Sequence, residues 1–159
     1  MLPEKITRDW VEERLDTLHP RHVAAFVRLL TELRALFDGD LDAMLVLAAV
    51  TADVERDEWR QTLLDTAEGQ GTQTPANALS IALSTGIPRE TVRRKLARLE
   101  DMKVAQKDAR GHWSATPQAA EILRPGTLAS MTYIKKILNA ALEAERAQRQ
   151  AKARKSGAG

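Results

Sequence analysis

Ser80-Ile81-Ala82-Leu83-Ser84-Thr85-Gly86-Ile87-Pro88-Arg89-Glu90-Thr91-Val92-Arg93-Arg94-Lys95-Leu96-Ala97-Arg98-Leu99 reads as two helices joined by a tight turn. Asn77, just ahead of it, carries a side-chain oxygen suited to capping a short helix over 78–84. Gly86 stands where a turn between two helices needs a positive φ, which glycine adopts without steric cost. Pro88 opens the next helix, where its fixed φ is tolerated and its missing N–H costs little. That helix should run to about Asp101. Val92, Leu96 and Leu99 fall within about 60° of one another on a wheel of 100° per residue, and form its buried stripe.

The opposite face carries the chemistry. Glu90, Arg94 and Arg98 project outward there, with Arg89, Thr91 and Arg93 on the flanks. Arg89, Arg93, Arg94, Lys95 and Arg98 share a span in which Glu90 is the one acidic residue. Such a cluster repels itself unless an anion relieves it. Arginine can fork onto phosphate, or onto the O6 and N7 edge of guanine. Two candidate strands follow at 104–107 and 112–115, joined through Asp108-Ala109-Arg110-Gly111. A hairpin beside the arginine-rich helix would bring Lys107, Arg110 and His112 to a nucleic-acid backbone or minor groove. Thr116 and Pro117 then start another helix, as cap and first position.

On these residues the chain resembles the winged helix-turn-helix of bacterial transcriptional regulators, with Ala, Gly and Val spacing similar to the MarR, IclR and GntR types. The segment TGIPRETVRRK, beginning at Thr85, also resembles uncharacterised helix-turn-helix regulators of alphaproteobacteria. The resemblance covers residues 77–116 of the 159. It implies a mainly α fold: a winged helix-turn-helix with a two-stranded wing, flanked by N- and C-terminal helices. It also implies sequence-specific binding of double-stranded DNA, with helix 88–101 in the major groove. Arg89, Glu90, Thr91, Arg93, Arg94, Arg98, Lys107, Arg110 and His112 are the expected DNA-binding residues. The flanks resemble the MarR arrangement most, in which terminal helices dimerise, although the stretch 51–76 is longer than that arrangement has. The alternative is a winged-helix adaptor that binds protein and reads no DNA sequence.

Composition and charge agree with a folded, polyanion-facing chain. Hydrophobic residues make up 43% and charged residues 29%, a globular balance. The formal net charge of +2 hides a polarity: residues 1–75 carry 8 Lys/Arg and 15 Asp/Glu, whereas 76–159 carry 16 and 7. The basic half is the one that should meet a polyanion. Arg146, Arg149, Lys152, Arg154 and Lys155 near the end supply 5 of those 16, so a basic tail alone does not explain the imbalance. Cysteine is absent, which excludes disulfides, cysteine zinc sites and thiol nucleophiles, and fits a reducing cytosol. No signal core and no membrane-length apolar run is visible, so a cytoplasmic chain with no membrane partner is expected.

Outward from the motif, the apolar marks Ile6, Trp10, Leu15 and Leu18 predict a helix over 4–18, broken at His19-Pro20. A second helix over 21–37 should bury Val23, Phe26, Val27, Leu30, Leu33 and Phe37. Asp38-Gly39-Asp40 makes a turn, with Asp40 capping a third, central helix from Leu41 that reaches Glu55 and extends toward Leu64. Residues 69–75 form a loop. Pro125-Gly126 marks a break before a helix over 128–150, whose Leu128, Met131, Ile134, Leu138 and Ala141 form a seam for another helix. The organisation expected is a helical region 1–68, a DNA-binding region 76–124, a dimerising helix 126–150 and a basic flexible tail 151–159. A homodimer is expected, with room for a small-molecule effector in an apolar pocket. No catalytic constellation, cofactor or metal site is expected. His19 and His22 flank a helix break, the aspartates at 38, 40 and 42 lack the Gly and Glu of a calcium loop, and the acidic residues 53, 55, 57 and 58 read as a solvated face.

Overall fold

The computed structural model describes residues 2–52 and 76–156, and within them the chain is mainly helical with one two-stranded antiparallel sheet. The sequence-predicted loop at 69–75, the extension of the third helix toward Leu64 and the acidic face at 53–58 lie outside the described residues. The elements are α1 (Arg8–Glu12), α2 (Leu15–Leu36), α3 (Leu41–Thr51), α4 (Ala78–Thr85), α5 (Arg89–Asp101), β1 (Ala105–Lys107), β2 (Trp113–Ala115), α6 (Ala119–Ile122) and α7 (Arg124–Ser156). No helix among the described residues is long and apolar enough to cross a membrane. The chain divides into two compact units, Met1–Thr31 with Leu128–Gly159, and Glu32–Thr127.

The unit Glu32–Thr127 holds the sequence motif. Its core is aliphatic: Val46 and Val50 of α3, Ile81 of α4, and Val92, Leu96 and Leu99 of α5 are all essentially inaccessible to solvent. The stripe predicted for α5 is therefore the buried one, and α3 packs against both α4 and α5. Asp40 caps α3 as expected, its carboxylate accepting the Ala43 N–H at 3.0 Å. The hairpin pairs Ala105 with Ala115, Gln106 with Ser114 and Lys107 with Trp113. Trp113 also donates its backbone N–H to the Ala76 carbonyl at 2.7 Å, so Ala76, two residues before α4, extends the sheet by one bridge. Buried Trp113 and Val104 seat the hairpin on the core.

Several boundaries differ from the sequence reading. α6 begins at Ala119, two residues beyond the expected start at Pro117. Thr116 does not cap it; its hydroxyl donates to the Lys103 carbonyl at 2.6 Å and closes the base of the hairpin. Pro125-Gly126 does not break the chain: α7 starts at Arg124, so Pro125 lies in a first turn, where no N–H is needed. Gly126 is buried where a Cβ would stand 3.0 Å from Leu36 and 3.2 Å from Leu33. The region 151–156, expected as a flexible tail, is helical.

The unit Met1–Thr31 with Leu128–Gly159 is built from α1 and the outer parts of α2 and α7. The helix break lies at Glu13-Arg14, not at His19-Pro20, and Pro20 sits inside α2. The one carbonyl that loses its donor, that of Asp16, belongs to an exposed residue that water can serve. Arg14 stands at the break. Its guanidinium is buried, lies 4.3 Å over the Trp10 ring, and donates to Glu145 at 2.9 Å. Trp10 donates its ring N–H to the same carboxylate at 3.0 Å. Arg149 foremost, with Trp10 and Arg14, holds the Glu145 carboxyl below its ordinary range against the opposing effect of burial. α2 runs antiparallel to α7, because Arg14 meets Glu145 whereas Phe26 meets Tyr133. His22, stacked on Phe26, shares a 3.0 Å hydrogen bond with the Tyr133 hydroxyl.

The expected buried face of α2 is only partly buried. Phe37, just past the helix end, is buried, but Val23, Phe26 and Val27 are exposed, Val27 by 58%. Within this unit α2 instead buries Ala25. Periodicity identifies an apolar face; it does not say what covers it.

Candidate nucleic-acid interface

The arginine-rich face begins with how α5 is started. Asn77 caps α4 by accepting from Leu79 and Ser80, and the Ser80 hydroxyl closes a capping box. α4 ends at Gly86, whose φ of 71° is the left-handed value required to reverse the chain. Pro88 is the N-cap of α5, one residue before the first helical position, and supplies no side-chain cap hydrogen bond. The first-turn N–H groups of α5, which no helix satisfies internally, thus receive nothing from the N-cap side chain.

With Val92, Leu96 and Leu99 fixed in the core, the other side of α5 is solvent-facing. Arg89, Glu90, Arg93, Arg94 and Ala97 are exposed there and Thr91 is half-buried. Arg93 pairs with Glu90 at 3.2 Å, and Arg94 donates to the Thr91 hydroxyl at 3.3 Å. These are short-range surface contacts that hold the arginines loosely and can be exchanged for stronger anionic acceptors. Ala97, which the sequence reading passed over, puts a methyl group at the middle of the face, so the backbone there can approach a flat surface closely. Its signal was available: a small residue on the outward side of the wheel.

Arg98 departs from the outward placement expected of it. It reaches across to the start of α3, donating to Asp38 at 3.1 Å, to Asp40 at 3.3 Å and to the Phe37 carbonyl at 3.2 Å. Lys95, also unanticipated, lies 2.8 Å from the Asp40 carboxylate and is half-buried. Burial pulls the Asp40 carboxyl upward, but the Lys95 hydrogen bond, the Ala43 N–H and the charges of Lys95 and Arg98 outweigh it, and Asp40 titrates below its ordinary value. Two of the five basic residues of α5 therefore tie the helix to the α3 cap. Arg89, Arg93 and Arg94 are the three that face outward.

The hairpin places the remaining candidates. Asp108 accepts the backbone N–H groups of Arg110 at 2.9 Å and His112 at 2.8 Å. The His112 N–H is the main reason its carboxyl lies below the usual range. Gly111 completes the turn with φ of 87°. Arg110 is exposed at the tip. Lys107 is exposed with its ammonium 5.9 Å from the centre of the Trp113 ring, a distance at which cation and ring attract. His112 is half-buried, with Nδ1 3.4 Å from Asp108. All nine expected contact residues lie in the unit Glu32–Thr127. Compared with known proteins, the chain matches no family model, no curated protein and no solved structure.

Proposed function

We propose that the chain is a cytoplasmic, sequence-specific regulator of transcription, a homodimer that binds double-stranded DNA through a winged helix-turn-helix, with α5 in the major groove. The observation that carries this reading is the outward trio Arg89, Arg93 and Arg94, opposite a stripe of α5 that is wholly buried. The core fixes the rotation of the helix, and the arginines occupy its first two turns, where a helix entering a groove end-on meets base edges. Glu90 and Thr91 share that end, and first-turn N–H groups that the N-cap side chain leaves uncapped suit a phosphate. Lys107, Arg110 and His112 serve as backbone contacts of the wing. Arg98 acts one step removed, by holding α5 against α3.

The dimer rests on separate residues. Val23, Phe26 and Val27 of α2, and Leu128, Met131, Ile134 and Leu138 of α7, stay substantially exposed in the single chain. So many large apolar side chains call for a partner, and a second copy would also double the number of recognition helices. The adaptor reading is favoured by Leu79 and Leu83 of α4, the latter 77% exposed.

Selection of binding sites from a random duplex library, followed by titration of the selected site at several salt concentrations, tests the proposal. DNA binding through Z basic contacts predicts log-linear weakening with a slope of about −0.9Z. No enriched sequence would refute sequence-specific readout. Binding that is flat in salt would favour the adaptor.

A further inference from the structure

Within the unit Met1–Thr31 with Leu128–Gly159, α2 and α7 form a two-helix layer with unlike sides. One side is a shallow groove bordered by Arg21 and Arg28 of α2 and by Lys136 and Glu143 of α7. The other side is apolar. On a wheel of 100° per residue, Leu15, His19, Val23, Phe26 and Leu30 of α2 fall within about 80° of one another, and about 170° from the groove residues. Met131, Ile134 and Leu138 of α7 lie about 160° from the groove in the same way. The two stripes therefore share one face. Its exposed apolar area comes to roughly 500 Å² per copy, close to the apolar share of a homodimer interface of standard size.

His19 is the polar member of the α2 stripe, one turn from Leu15 on one side and one turn from Val23 on the other. It is exposed, with the His22 ring 6.3 Å away between centroids. His22 is held differently. It stacks on Phe26 and shares its hydrogen bond with the Tyr133 hydroxyl, which can donate to a neutral ring or accept from a protonated one. Among the described residues, His19 has no such hydrogen bond. The carboxylates around this end of the layer are Glu12, Glu13, Asp16 and Glu145. Glu12 is paired with Arg8, Glu13 with Arg14 and Gln148, and Glu145 with Trp10, Arg14 and Arg149. Asp16, three residues before His19, lies about 60° further round, at the outer edge of the face, where it favours a charged ring in the single chain. Of the cations, Arg21 and Lys136 border the groove on the far side, and Lys135 lies on the outer side of α7.

We propose that His19 makes the dimer pH-sensitive: the two copies pair with the ring neutral and part when it is protonated. This rests on the homodimer proposed above and adds its regulation. Seated against a second copy, the ring leaves water for an apolar seam, where a charged imidazolium costs far more than a neutral imidazole. The face that the second copy brings is the same one, and its centre holds no carboxylate to offset the charge. The charged form is thus favoured in the single chain and the neutral form in the pair. The dimer is tight above the range in which an imidazole changes charge, about pH 5–8, and loosens as pH falls through it. Two rings per dimer set a limit of about two decades in Kd per pH unit. Glu145 titrates below its ordinary value, so the anchor of α1 stays charged over the same range.

The test is sedimentation equilibrium of the full chain between about pH 8 and pH 5.5, at constant ionic strength, with helix content measured at each pH to separate parting from unfolding. The dimer Kd should rise by about tenfold or more across that range. His19→Leu, which continues the apolar stripe, should pair at least as tightly at pH 8 and change by less than about threefold on acidification. His22→Gln, which keeps a hydrogen bond for Tyr133, should retain the pH dependence of the wild type. A wild-type dimer whose Kd is flat in pH overturns the switch and leaves the homodimer standing. Pairing that weakens equally with acid in folded His19→Leu, or loses its pH dependence in His22→Gln, also overturns the assignment to His19. A wild-type monomer at pH 8 overturns the homodimer, and the switch with it.

Discussion

Replacing Asp40 separates two contributions that meet on one carboxylate. Asp40→Ala removes the cap hydrogen bond to the Ala43 N–H, worth about 1 kcal/mol. It also strips Lys95, whose side chain is 22% exposed, of its partner at 2.8 Å. A charged hydrogen bond of this kind contributes about 1.5–3 kcal/mol, and partial access to water places Lys95 at the lower end. Arg98 keeps Asp38 and the Phe37 carbonyl, so its share is small. The expected destabilisation is about 2.5–3 kcal/mol for Asp40→Ala. For Asp40→Asn, which caps equally well but carries no charge, about 1.5 kcal/mol is expected. Urea unfolding followed by far-ultraviolet circular dichroism reads both. The acid arm has a definite sign. Asp40 titrates lower in the folded chain than its ordinary value of 3.8, so its ion pair stabilises fully above that value and is lost as pH falls below it. The gap between wild type and Asp40→Asn should therefore close in strong acid. If both variants unfold within about 0.5 kcal/mol of the wild type, the tether of α5 to α3 contributes nothing. If the two are equally destabilised, the cap hydrogen bond contributes nothing.

Other outcomes follow from the same residues. Changing Arg93 or Arg94 to Ala should cost about 1–3 kcal/mol at a selected DNA site and relax its preference, measured by competition between matched and mismatched duplexes; unchanged discrimination in the triple variant with Arg89 would refute readout by α5. Lys107→Ala and Arg110→Ala should weaken all sequences alike and lower the salt slope by about 1 each; a changed site preference at constant slope would show that the hairpin reads bases. Ile134→Glu should lower dimer stability by at least the roughly 1.5–3 kcal/mol of one buried side chain, and DNA affinity with it. Light scattering decides the point: a wild-type monomer of 17.6 kDa at micromolar concentration, still binding a palindrome without pairing on it, would remove the dimer.

The parts legible in the sequence are those set by local chemistry. Gly86, Asn77 and the stripe Val92, Leu96 and Leu99 act through neighbours a few positions away, so spacing alone places them. The hairpin was legible for the same reason, down to Gly111 in its turn. Long-range partners were not. Arg98 and Lys95 look like any outward cations of a helix until the cap of α3 is folded beside them. The Ala76 bridge to Trp113 leaves no trace in composition. Pro20 misled because its cost depends on whether the freed carbonyl reaches water, which no one-dimensional pattern states. For α2, the period predicts a buried face that includes Val23, Phe26 and Val27, but these three are exposed and the helix buries Ala25 within its own unit. The charge imbalance between the halves was visible at once, yet which of the basic residues stay free to meet an anion had to come from geometry.

The turn at Asp108 bears on the entropy of any encounter. Its carboxylate fixes two backbone N–H groups across Arg110 and His112, and Gly111 removes the strain of closing so tightly. The backbone beneath Arg110 is thus ordered before a ligand arrives, and only the side chain remains to be immobilised, at about 0.5–1.5 kcal/mol. Loosening the turn through Asp108→Ala would shift that backbone ordering from the folding step to the binding step. Arg110 would keep its charge but lose its aim, and the loss would appear mainly as faster dissociation.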